Sequence, residues 1–180
     1  GKVIFSYEES YGYMLGDYVR DKDAVSASVE LTEMAAWYAS QGMTLYDALQ
    51  ALFKKYGYYG ERTMNLVMPG LDGMRDMAAI MEQLHKVPLT EVAGTAVVAQ
   101  KDYQAGTVTD PATGAVTPME LKDSNVVAYD LADGTTFIIR PSGTEPKIKV
   151  YVLAHGGSQA ECDEKLAKYT AFADVIKTMA

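Results

Sequence analysis

Cysteine is nearly absent: Cys162 is the single one among 180 residues. One thiol cannot close an intrachain disulfide or build a thiolate metal cluster. A reducing, cytoplasmic setting is therefore the expectation. Histidine is almost as scarce, and His85 and His155 carry no partner spacing for metal or triad chemistry. No run of 18 apolar residues occurs, so no helical membrane span is expected. No basic-then-apolar leader opens the chain. An initiating methionine is missing too: Gly1-Lys2 runs straight into Val3-Ile4-Phe5, and the expectation is a piece of a longer protein. Positive charge is in deficit, with 16 Lys and Arg against 24 Asp and Glu, a net charge of −8. That argues against partners such as nucleic acid or an anionic membrane. A small anionic ligand stays open, because charges beyond ~8 Å are screened and a few local cations decide.

What is present reads as a globular chain, 48% hydrophobic and 22% charged, of one domain or two small ones. Residues 3–6 read as a short buried strand, running into an aromatic and polar loop broken by Gly12 and Gly16. A helix is expected over about 25–40, with Val25, Val29, Ala36 and Trp37 as core contacts. Thr44 and Asp47 form a weak capping box before Leu45, Ala48, Leu49, Leu52 and Phe53 at helical spacing, and Gly57 stops that helix. Then follow a strand at 65–68, a helix from about 72 whose face is Met77, Ile80, Met81 and Leu84, and a strand at 95–99. Residues 104–124 read as a hairpin-like excursion or loop. Strands at 126–131 and 135–140 flank Asp133-Gly134, a two-residue hairpin signal in which both residues tolerate positive φ. A half-buried strand at 148–152 precedes the capping box Ser158/Glu161. A last helix to about 178 carries Cys162, Leu166, Tyr169, Ala173 and Ile176 on its apolar stripe. The order changes near residue 58, giving units 1–57 and 58–180. The second is an α+β pattern, an antiparallel sheet with two helices on one face.

Three segments carry candidate chemistry. Arg140-Pro141-Ser142-Gly143-Thr144-Glu145-Pro146-Lys147 lies between two expected strands. The arginine fork suits a phosphate or carboxylate. Ser142 and Thr144 add hydroxyls, Gly143 permits close approach and a positive φ, and the loop amides can form an anion nest. The alternative is an ordinary Gly/Ser/Pro hairpin with a surface arginine. Glu8-Glu9-Ser10-Tyr11-Gly12-Tyr13 offers carboxylates and a hydroxyl to a polyol. Glu8 and Ser10 share a side of an extended chain, and the alternative is an exposed acidic loop. In Arg20-Asp21-Lys22-Asp23 the roles suggested are cationic, Arg20 or Lys22 meeting a phosphate, against a charged helix lead-in with Asp23 at the dipole.

The Glu8–Tyr13 segment, followed by Arg20-Asp21-Lys22-Asp23, resembles the sugar-binding loop of the α-D-phosphohexomutases, and Arg140–Lys147, over a hundred residues further on, resembles their C-terminal phosphate-binding loop, the bacterial phosphoglucomutases and phosphomannomutases above all. The resemblance implies that residues 1–57 are the end of a third, α/β domain and 58–180 a fourth domain. It implies Glu8 and Ser10 as sugar contacts and Arg140, Ser142, Gly143 and Thr144 as phosphate contacts; Arg20 and Lys22 stand as candidate substrate contacts on residue type alone. It implies a hexose phosphate substrate, Mg²⁺, a hexose 1,6-bisphosphate activator and upstream domains of the same protein. The family's phosphoserine loop and Asp-x-Asp-x-Asp metal loop are absent from these residues. No catalytic residue and no metal ligand is therefore expected here, and these residues alone are expected to be inactive. A phosphopentose substrate, a non-catalytic sugar-phosphate module and a tyrosine-rich interaction protein remain alternatives.

Overall fold

The computed structural model describes residues 2–8 and 11–179. The chain divides into two compact units, Gly1–Tyr56 and Gly57–Ala180.

In the first unit, β1 (Phe5–Tyr7) pairs antiparallel with β2 (Tyr13–Leu15), Phe5 opposite Leu15 and Tyr7 opposite Tyr13. Helix α1 (Ala24–Ser40) starts at Asp23, whose carboxylate accepts the Val25 N–H at 3.0 Å. That caps one of the four unpaired amides of a helix start. Helix α2 (Leu45–Tyr56) opens on the reciprocal cap read from the sequence. Thr44 N–H donates to Asp47 Oδ2 at 2.8 Å, and Asp47 N–H donates to Thr44 Oγ1 at 3.1 Å. The expected core contacts of α1 are not buried: Val25 is 76% exposed and Trp37 58%. In α2 only Ala48 is buried. The strand at the start is exposed rather than buried, with Val3, Ile4 and Phe5 all open. An apolar stripe is buried only where a second layer opposes it, and the described residues of this unit supply none over these faces.

The second unit follows the α+β pattern. Its elements are β3 (Tyr58–Val67), α3 (Gly73–Lys86), β4 (Glu91–Val92), β5 (Thr95–Asp102), β6 (Thr107–Thr109), β7 (Val116–Pro118), β8 (Val127–Leu131), β9 (Thr136–Pro141), β10 (Lys147–Gly156), α4 (Gln159–Ala173) and a 3₁₀ turn at Asp174–Met179. The sheet runs β3-β10-β9-β8-β5-β6-β7, with β4 on β5, and every pairing is antiparallel. Residues 104–124 thus hold a short hairpin, and the strand expected at 65–68 extends back to Tyr58.

Alternation decides which sheet face is covered. Ile148, Val150, Val152 and Ala154 of β10, Phe137 and Ile139 of β9, and Val127, Tyr129 and Leu131 of β8 share one buried cluster. Met77, Ile80, Met81 and Leu84 of α3 and Leu166, Tyr169 and Ala173 of α4 join the same cluster, so both helices lie on this face. Each large apolar side chain fully buried there contributes roughly 1.5–3 kcal/mol.

The β8–β9 turn departs from the two-residue form. Gly134 N–H donates to the Leu131 carbonyl at 3.0 Å and Gly134 alone takes positive φ, +80°. This is a three-residue loop ending in a left-handed glycine. Helix α4 fastens it. Tyr169 donates to Asp133 Oδ2 at 2.7 Å, and Lys165 Nζ donates to the Asp133 carbonyl at 2.8 Å. Gly57, at φ +96°, ends α2 and opens β3, where the left-handed conformation favours glycine.

Candidate functional site

In the first unit the polar loop after β1 is tied back on itself, Glu8 N–H donating to the Gly12 carbonyl at 2.8 Å. Lys22 lies across this loop. Its ammonium stands 3.5 Å from Glu8 Oε1 and 3.1 Å from Asp21 Oδ1. The Lys22 backbone amide and then its side chain lower the Asp21 carboxyl below the usual range. Asp21 first, and Glu8 after it, raise the Lys22 ammonium above its own. Ser6, Glu8, Gly12, Asp21 and Lys22 border a cavity of about 170 Å³. The structure therefore brings together Glu8 and Lys22, which the sequence treated as separate candidates. Arg20 is exposed and has no ion pair among the described residues. Ser10 lies outside the described residues. Asp23 serves as the cap of α1.

In the second unit Arg140, Ser142, Gly143 and Thr144 occupy the end of β9 and the loop into β10. Ser142 N–H donates to the Lys147 carbonyl at 2.9 Å, and Lys147 N–H donates to the Glu145 carbonyl at 2.7 Å, closing the loop. Ser142 Oγ accepts from the amides of Thr144 at 3.4 Å and Glu145 at 3.3 Å. These long bonds leave both amides aligned on one oxygen, a geometry that an anion's oxygen can take over. Gly143 does not use positive φ, contrary to that expectation. Its lack of a Cβ faces open space instead. Lys147 is ion-paired with Glu145.

The pairing register adds a residue that sequence reading missed. Lys149 of β10 lies directly opposite Arg140 of β9, and Asn65 of β3 lies opposite Lys149 on its other side. Their neighbours Ile139, Ile148, Val150 and Leu66 are buried, so this row is on the face away from the helices. Neither the Arg140 nor the Lys149 side chain has a hydrogen-bond or ion-pair partner among the described residues. Like charges facing each other across strands are destabilising. In a chain of net charge −8, leaving two such cations uncompensated beside an amide-bearing loop suits an anionic ligand.

His85 is elsewhere. It stands 2.9 Å from both Asp102 Oδ2 and Asn125 Oδ1, tying the end of α3 to β5. Burial raises the Asp102 carboxyl, but the amides of Ala105 and Gln104 and the His85 ring outweigh it and hold the group below its usual range. Among the described residues no group of three His, Cys, Asp or Glu is placed to hold a metal ion.

Both units match known proteins. Residues 65–171 match the phosphoglucomutase/phosphomannomutase C-terminal domain, and residues 1–56 match the α/β/α domain III of the same proteins. The chain belongs to the phosphoglucomutase/phosphomannomutase family. It is 35% identical over 150 residues to a phosphoglucomutase of Staphylococcus haemolyticus and 36% to one of Staphylococcus epidermidis. Each alignment covers 83% of this chain and 27% of the relative, so the chain spans about a quarter of those proteins' length. The fold is also that of the open form of pp63/parafusin, a Paramecium phosphoglucomutase, with a TM-score of 0.55 at 15% identity, over 96% of this chain and 29% of that one.

Proposed function

We propose that these residues supply the sugar- and phosphate-recognition part of a mutase that interconverts hexose 1-phosphate and hexose 6-phosphate through a phosphoserine and a hexose 1,6-bisphosphate. The observation that carries the reading is the uncompensated Arg140–Lys149 pair beside the 142–146 loop. Arg140 offers its planar fork to two phosphate oxygens, and Lys149 adds a point charge. The hydroxyls of Ser142 and Thr144 and the amides of residues 143–145 complete the donor set. Glu8 and Ser10 accept hydrogen bonds from sugar hydroxyls. Lys22, held charged by Asp21 and Glu8, is a second cation for substrate oxygen, with Arg20 nearby in sequence.

Both hexose phosphates carry one phosphate that does not react in a given half-reaction. The 140–149 site holds that group while the other end of the sugar is turned over. The transfer itself needs a nucleophile in line with the phosphorus and positive charge at the equatorial oxygens. In this reading a phosphoserine and Mg²⁺ supply them from the protein's other domains. Among the described residues no group of three His, Cys, Asp or Glu is placed to hold that metal.

The test is a titration of the ¹⁵N-labelled chain with α-D-glucose 6-phosphate. Amide shifts concentrated in residues 140–149 and at Asn65, lost in Arg140→Ala, are expected. Shifts confined to other residues would move the anion site and defeat the reading.

A further inference from the structure

We infer that Gly73, the first residue of α3, is a positioning residue for the 142–146 loop; the inference rests on the anion-binding reading of that loop. Gly73 is buried and its φ lies outside the left-handed region. Backbone freedom therefore does not explain a glycine there, and space does. A Cβ at this position would run into the Met68 carbonyl oxygen and come to 3.0 Å from Pro146 Cβ. One obstacle is backbone and the other a ring, and neither can swing aside as the end of a long side chain can.

Three elements converge at this point. The Met68 N–H donates to the Pro146 carbonyl at 2.8 Å, so the end of β3 and the exit of the loop are already joined. The start of α3 closes the third side. A push on Pro146 passes to its neighbours at once. Lys147, next in the chain, holds Ser142 N–H with its carbonyl and Glu145 with its amide. Those are both legs of the loop that bears the amides of Thr144 and Glu145. Helix α3 cannot yield by sliding away. Ile80, Met81 and Leu84 are fully or almost fully buried, and His85 pins the far end to Asp102 and Asn125. The loop gives way instead, and the Arg140–Lys149 row loses its registration with the amides.

The experiment compares Gly73→Ala with Gly134→Ala in the ¹⁵N-labelled chain. Gly134 sits at the opposite end of β9, has φ +80° and nothing within 4 Å of a Cβ. Alanine there strains the backbone without pressing on anything, and so lowers the melting temperature without touching the loop. Gly73→Ala is expected to shift the amides of residues 142–147 and to weaken α-D-glucose 6-phosphate binding about tenfold, the loss that one missing charge-assisted hydrogen bond causes. Gly134→Ala is expected to leave both unchanged at a comparable melting temperature. Unmoved loop amides, affinity within about twofold of the parent chain, or an equal loss in Gly134→Ala would overturn the inference. If Gly73→Ala does not fold, Pro146→Gly empties the same contact from the loop side. It should weaken binding as well, and parent-like affinity in that variant would equally count against the role. A parent chain that shows no sugar-phosphate shifts would defeat the functional reading. The loop amides of the variants, read without ligand, would still decide whether Gly73 positions the loop.

Discussion

Arg140 and Lys149 face one another across β9 and β10, yet they are not equivalent. A guanidinium such as that of Arg140 can make two parallel bonds to one phosphate, whereas an ammonium such as that of Lys149 acts as a charge without a fork. A charge-assisted hydrogen bond is worth roughly 1.5–3 kcal/mol, which corresponds to about a tenfold to hundredfold change in affinity. Arg140→Ala should weaken glucose 6-phosphate binding by that factor, and Arg140→Lys should recover only part of it. Lys149→Met should weaken binding less than Arg140→Ala and flatten its dependence on salt, because one screened charge is gone. Calorimetric titration at two ionic strengths measures all three. A Lys149→Met chain with unaltered salt dependence would remove that residue from the site.

At the scale of elements, the β8–β9 turn and α4 are joined through Asp133. Burial raises the Asp133 carboxyl, but the Tyr169 hydroxyl and the Thr135 amide outweigh it and leave it below the usual range. Burial, with Asp133 beside it, pushes the Tyr169 hydroxyl up to about 12. Asp102 is depressed in the same way by its own amide donors and His85. A carboxyl whose folded pKa is depressed adds stability above its unfolded value, near 4, and that contribution is lost as pH falls through the folded value. Denaturation midpoints should therefore hold from pH 7 to about 5 and drop below about pH 4. Asp133→Asn and Asp102→Asn should each flatten that drop. Tyr169→Phe leaves a carboxylate oxygen without its donor and should cost about 1–3 kcal/mol in urea unfolding.

The same scale shows what a sequence carries. The caps at Thr44/Asp47 and Ser158/Glu161 were legible because each closes within three residues. The stripes of α3 and α4 were legible because one helix face repeats. Lys149 was not, since its meaning comes from a partner nine residues away across a turn. The His85–Asp102 tie spans 17 residues and two elements, and no local pattern marks it. The first half of β3 was missed because Gly60, Glu61 and Arg62 interrupt the apolar alternation of an edge strand. Trp37 and Val25 were misread for a different reason: an apolar stripe says that something covers it, not what.

At the scale of the molecule, the proposed function separates recognition from chemistry. The described residues carry a paired Glu8–Lys22 loop and the 142–146 loop proposed to hold an anion, but no group of three His, Cys, Asp or Glu placed to hold a metal ion. The 180 residues alone should give no mutase turnover with Mg²⁺ and glucose 1,6-bisphosphate, as followed by coupled dehydrogenase assay. Turnover by a clean preparation would place the nucleophile within them. The most direct measurement of the central claim is kcat/KM for glucose 1-phosphate in the full-length protein carrying Arg140→Ala, with thermal melting as the control. The account predicts a loss of about tenfold to a hundredfold with the melting temperature hardly changed, since Arg140 is exposed and lies outside the core cluster. An unchanged kcat/KM in an equally stable variant would contradict it and leave residues 140–147 as an ordinary turn.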